Sequence, residues 1–135
     1  MLGRIVGIAQ VNGVGEREKY DGYEVVTDKH KVYVLINNEQ ECCEDWGYAI
    51  TYDDAAHFIS AELLEIRLTD VALDQVRFPP VVEDGQMYEY RQQQFVDFVT
   101  TRGVFQVVLY NEHNGYYGHD VMLAQDGQAI HMGVL

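Results

Sequence analysis

No stretch of this sequence approaches the roughly 20 consecutive apolar residues that a helix needs to cross a bilayer, so no membrane partner is expected. The first residues, Met1-Leu2-Gly3-Arg4, open directly into an alternating pattern without an apolar signal-peptide core, which predicts a cytoplasmic protein. Proline is scarce, at two residues, and 47% of the chain is hydrophobic, a profile that excludes disorder as the default. The only two cysteines, Cys42 and Cys43, are adjacent. Neighbouring cysteines rarely bridge, because the disulfide strains the peptide between them, so two reduced thiols and a reducing compartment are expected. Positive charge is also short, with 9 Lys and Arg against 22 Asp and Glu and a formal net charge of −13. The cations stand singly or in pairs, so direct binding of duplex nucleic acid is not expected. The acidic excess serves solubility, or it mimics a polyanion and occupies a basic protein surface. There is no phosphate-cradling glycine loop with lysine, no nucleophile elbow, no His-Glu-x-x-His and no calcium loop. Catalysis therefore has little support, and neither a metal nor a cofactor is expected.

What the chain does have is alternation of period two, which sends successive side chains to opposite faces of a sheet. Its 135 residues suit one domain with one core. Strands are predicted over residues 4–11, 23–27, 31–37, 62–69, 86–100, 104–110, 120–124 and 128–132. Tyr23, Val25 and Thr27 share one face of their strand, and Val32, Val34 and Ile36 share one face of the next. In the fourth, Leu64, Ile66 and Leu68 oppose Glu65, Arg67 and Thr69. Residues 52–59 place acids before two alanines and apolar residues, which predicts a short helix. Residues 70–85 hold Pro79-Pro80 and little period, and read as the longest and most mobile loop. The fold class is β-rich α+β, an antiparallel sheet of successive hairpins with one or two short helices.

Two constellations stand out. Glu41-Cys42-Cys43-Glu44-Asp45-Trp46-Gly47-Tyr48 follows a predicted strand. Adjacent cysteines do not easily reach one tetrahedral ion, so zinc is a poor reading. A nucleophilic cysteine would need His113 or His119 beside it, and otherwise the thiols are small buried hydrophobes, one packed against Trp46. The second runs from Asn111 to Asp120 and contains His113-Asn114-Gly115-Tyr116-Tyr117. Asn114-Gly115 is a turn signal, since both residues tolerate positive φ. The tyrosines and histidines around it suit either plain hairpin architecture or a loop that presents rings and hydrogen-bond donors. Ten tyrosines in all fit base stacking, protein contacts or simple strand propensity.

Taken in order, Cys42-Cys43-Glu44, the middle strand Ala61-Glu62-Leu63-Leu64-Glu65-Ile66 and the late Asn114-Gly115-Tyr116-Tyr117 resemble a family of small phage and bacterial proteins of unknown function. The chain departs from the family's pattern at Pro79-Pro80 and in its extended last hairpin. Small phage proteins of this kind often oppose bacterial defence, and one class resembles the anti-CBASS and anti-Thoeris sponges, which sequester cyclic nucleotide signals uncleaved. What the resemblance implies is a homo-oligomer in the cytoplasm of an infected bacterium. Trp46, Tyr48, Tyr116 and Tyr117 would wall its pocket, with His113 and Asn114 beside them and Arg91 or Arg102 on the phosphate. The competing readings are an acidic inhibitor that mimics nucleic acid on a host defence factor and, third, a cysteine-dependent enzyme.

Overall fold

Alternation along these strands dictates the architecture, because each must cover one apolar face. The computed structural model describes residues 2–39, 45–52, 54–78, 90–113 and 118–135, with residues 16, 90, 91 and 113 described by their backbone alone. Among the described residues nine strands form one sheet: β1 (Gly3–Val14), β2 (Tyr20–Thr27), β3 (Lys31–Asn37), β4 (Asp45–Thr51), β5 (Glu62–Thr69), β6 (Tyr90–Thr100), β7 (Gly103–His113), β8 (Asp120–Gln125) and β9 (Gln128–Val134). Their order is β4-β7-β6-β5-β1-β2-β3-β8-β9, and neighbours run antiparallel. Three runs are local hairpins, as the pattern predicted, while β4 on β7 and β8 on β3 are long-range pairings.

The sheet folds over on itself at β1. Only Gly3 and Arg4 of that strand pair with β5, whereas most of it pairs with β2. One main core results, with Ile5, Val25, Val32, Val34 and Ile36 from one half meeting Leu63, Val96, Phe98, Phe105 and Val107 from the other. The predicted faces of β2 and β3 are therefore correct at Val25, Thr27, Val32, Val34 and Ile36, all buried. A close approach in β2 requires glycine: a Cβ on Gly22 would lie 2.0 Å from the Val34 carbonyl oxygen.

Three expectations are corrected. The predicted helix is one 3-10 turn, Ala55–His57; among the described residues the other helical segment is Glu16–Glu18, also 3-10. Asp54 does cap, its Oδ1 accepting from Ala56 N at 2.9 Å, but Ser60 turns the chain at φ 75° and leaves no room for a longer helix before β5. The described fold is thus a β-rich antiparallel sheet with almost no helix, its helical residues being 3-10 turns. In β5 a register shift between Leu63 and Glu65 puts Leu63 in the core and leaves Leu64 exposed, so regular alternation misassigned that pair, while Ile66 and Leu68 keep the expected face as register partners of the buried Phe98 and Val96. Residues 70–78 are docked instead of free. Ala72 and Phe78 cover Ala49, Phe95 and Val108 on the outer face of β4, β7 and β6, forming a second small core.

The β8–β9 turn shows a local electrostatic lock. Asp126 and Gly127 take φ 52° and 83°, the positive angles of a tight hairpin turn. Asp126 Oδ1 accepts from Lys31 N at 2.9 Å, and its Oδ2 lies 2.5 Å from His30 Nδ1, which ties this turn to the β2–β3 turn. The His30 hydrogen bond, then the Lys31 amide, hold the Asp126 carboxyl below the usual aspartate range. A depressed carboxyl stabilises the fold above its unfolded pKa and loses that effect as pH falls through its folded value. The stability difference between wild type and Asp126→Asn is therefore expected to be present at neutral pH and to shrink in acid below the ordinary aspartate range, measured by urea unfolding at a series of pH values.

Candidate functional site

β4 is the strand that pattern reading missed, and it positions most of the recognisable side chains. Trp46, Tyr48 and Ile50 alternate on its inner face and pack against the main core, and Tyr52 follows them there. Trp46 stacks on the buried His119 ring at 5.2 Å, and the His119 Nδ1–H donates to the Asn37 carbonyl at 2.6 Å. Tyr48 meets Tyr23 edge-on at 5.8 Å. Its hydroxyl donates to Asn12 Oδ1 at 2.7 Å and accepts from Gln10 Nε2 at 3.0 Å. Tyr52 lies edge-on to Phe105 at 5.9 Å. The Trp46 and Tyr48 rings thus bind the β4 edge to the other half of the sheet.

An open cleft of about 380 Å³ lies at the end of this ladder, lined by Ile50, Thr51 and Tyr52 of the β4 edge, by Leu73, Asp74 and Arg77, and by Val104. That volume is within the range of small-ligand sites. Behind the cleft, the buried Gln106 anchors the segment that carries Leu73. The Gln106 side chain donates to the Val71 carbonyl at 3.0 Å and to Asp97 Oδ1 at 2.7 Å, and accepts from Leu73 N at 3.0 Å. Asp74 Oδ1 accepts from Arg77 N at 3.0 Å, and the Arg77 guanidinium sits 5.2 Å over the Phe78 ring. Arg77 is thus carried on an anchored segment with its charged head exposed.

Burial, with Asp54 adding to it, pushes the Tyr52 phenol above its ordinary pKa, so it remains a hydrogen-bond donor at neutral pH. Burial raises Tyr23 as well, reinforced by Tyr52 and Tyr48 and partly offset by the Arg77 charge. The cleft therefore offers a phenol donor, an aromatic edge, a forked cation and one carboxylate. This set can hold a phosphate or carboxylate bidentately while a planar group lies against a ring.

Among known proteins, the chain matches a domain of unknown function, DUF7448, over residues 1–123. It belongs to the DUF7448 family. No curated protein and no solved structure matches it. The DUF7448 match runs from β1 into β8, so β9 lies beyond the matched span.

Of the residues the sequence singled out, Cys42, Cys43, Glu44, Asn114, Gly115, Tyr116 and Tyr117 lie outside the described residues. The described residues that flank the two motifs are brought together: Asp45 is the register partner of Glu112, and Glu112 of Arg91. Tyr90 pairs with His113 in the next row. Trp46 and Tyr48 are near this end of the sheet, half-buried in the aromatic ladder. Arg102 is not. It lies in the β6–β7 turn, about 35 Å along the strands from His113 at ~3.3 Å per residue. There its Nη1 donates to the Ile59 and His57 carbonyls at 2.7 and 3.3 Å. Among the described residues no group of His, Cys, Asp or Glu could hold a metal, and no helix is long and apolar enough to cross a membrane.

Sequence reasoning missed Tyr52, Asp74, Arg77 and Gln106. For Gln106 a signal existed, a lone amide within Val104-Phe105-Gln106-Val107-Val108, where a strand covered on both faces leaves no wet side. For Arg77 no sequence signal distinguishes it from the other isolated cations.

Proposed function

We propose that this DUF7448 protein is a binding domain that holds a cyclic nucleotide or related phosphate-bearing signal without cleaving it, in the cleft between Tyr52 and Arg77. The observation that carries this reading is an exposed guanidinium, carried on an anchored segment, that lines the same ligand-sized cleft as Tyr52. In a chain of net charge −13 an anion needs such a local cation to approach. The resemblance to the phage sponges supports the same ligand class, and in that setting the protein would deplete an immune signal in an infected bacterium. The test is a thermal-shift screen with cyclic dinucleotides and ADP-ribose derivatives, followed by chromatography of the recovered ligand. A stabilising ligand returned intact is expected, and Arg77→Ala should weaken it about 10-fold or more, the loss of a charge-assisted hydrogen bond to phosphate. A screen in which nothing shifts the melting temperature, or a ligand returned cleaved, rejects the reading.

A second reading, an acidic inhibitor that covers a basic surface on a host factor, is favoured by the way several cations are engaged. Lys19 is paired with Glu39, Arg67 lies 3.8 Å from Asp97, and Arg102 is held by carbonyls. Carboxylates such as Asp28, Asp45, Asp54, Glu65, Asp70 and Asp120 stand exposed. Binding of that kind ignores nucleotides and weakens steeply with salt.

A further inference from the structure

β9 is the last strand of the sheet, paired on one side with β8 and, among the described residues, with nothing on the other. Its side chains Ile130, Met132 and Val134 are 54%, 63% and 65% exposed. Met132 and Val134 sit at alternate positions beyond the register shift at Ile130, so they share one face of the strand. The apolar surface continues inward as far as the half-buried Met122, the register partner of Met132. The pairing irregularity of the hairpin falls between the partners of Leu123 and Ala124, toward the turn, so residues 131–134 are a regular edge.

Sheet edges that remain single are commonly blunted by lysine, proline or inward charge. None is present here: residues 128–135 contain no Asp, Glu, Lys, Arg or Pro, in a chain that carries 22 acids. This is where two copies of a strongly acidic protein can approach with least repulsion. A basic partner would be drawn to the acidic surface instead of this uncharged stripe.

We infer that β9 pairs antiparallel with β9 of a second copy about a two-fold axis, so that the sheet runs on from one subunit into the next. A two-fold edge contact is self-complementary and repeats the antiparallel order of β8 on β9. Edge pairing with the apolar stripe buries on the order of 1,000 Å² in total, at the low end of specific interfaces. The dimer is accordingly reversible and concentration-dependent. It does not depend on the cleft or on what the cleft binds.

Sedimentation equilibrium of the full chain from about 1 to about 500 μM, the range suited to a contact of this size, tests it. The expected result is a monomer–dimer equilibrium that Met132→Lys weakens about 10-fold or more. Val6→Lys, at a residue 55% exposed on β1 and four strands away, should leave it unchanged. Far-ultraviolet circular dichroism and the melting temperature of the monomer check that Met132→Lys folds; if it does not, Val134→Lys replaces it. A wild-type protein that stays monomeric throughout, or a dimer indifferent to the lysine variant that folds, overturns the proposal.

Discussion

Replacing Phe105 with alanine is expected to lower the unfolding free energy by about 4 kcal/mol, the usual range for a buried phenylalanine. Phe105 has no solvent exposure and is the meeting point of the core's rings. It stacks on Phe98 at 4.9 Å with the planes 1° apart, and touches Phe58 at 4.9 Å and Tyr52 at 5.9 Å. Emptying that position strips packing partners from three rings at once, and a close-packed interior relaxes only partly into the space. Urea unfolding measures the loss. Phe105→Leu should cost much less, about 1 kcal/mol, because it retains most of the volume. A loss below about 1.5 kcal/mol for the alanine variant would mean that neighbouring rings close the gap. Tyr52 lines the cleft, so any variant that frees its ring also blurs the proposed site.

The second large effect is expected at Gln106. Its amide is completely buried and makes three hydrogen bonds, to Val71, Leu73 and Asp97. Gln106→Leu matches the volume but leaves those groups without their partner, at a cost of about 3 kcal/mol. Hydrogen exchange at the Leu73 amide should accelerate in the same variant, since that amide loses its acceptor. Gln106→Glu separates packing from polarity. It preserves an acceptor for Leu73 but sets a carboxylate against Asp97, 2.7 Å away in the native pair. That variant should be destabilised at neutral pH and recover in acid, where one carboxyl of the pair is protonated. Equal stability of all three proteins at neutral pH would show that residues 70–78 are held by Ala72 and Phe78 alone.

How much of this was legible in the sequence depends on whether each strand's neighbours are local. The hairpins β2–β3, β6–β7 and β8–β9 announced themselves, because alternation and turn residues lie within the same short window. β4 did not. Gly47 and Ala49 remove the outward half of its alternation, since that face packs on a covering segment that no local pattern can reveal. The same layer explains the misreading of residues 70–78: a low-period segment docks through two anchors, Ala72 and Phe78, which leave no repeat. Leu63 and Leu64 show a third limit, where one extra residue in β5 reverses the face that simple alternation assigns. Within the site, Tyr48 was recognisable as an aromatic worth noting, yet the bonds of its hydroxyl to Asn12 and Gln10 depend on the fold-over at β1. Arg102 was chosen for its charge, but charge alone does not reveal that a turn has already engaged it.

The pairing of β3 with β8 also governs how the molecule is made. Val32 is matched with Gln125 and Ile36 with Val121, so a strand that leaves the ribosome early waits for one on the order of ninety residues later. At usual translation speeds that delay is roughly 5–20 s. Throughout it the apolar β1–β2–β3 meander has one flank open, and newly made chains are most prone to clump in that interval. Folding should finish after synthesis and slowly, in milliseconds to seconds, as distant pairings generally impose.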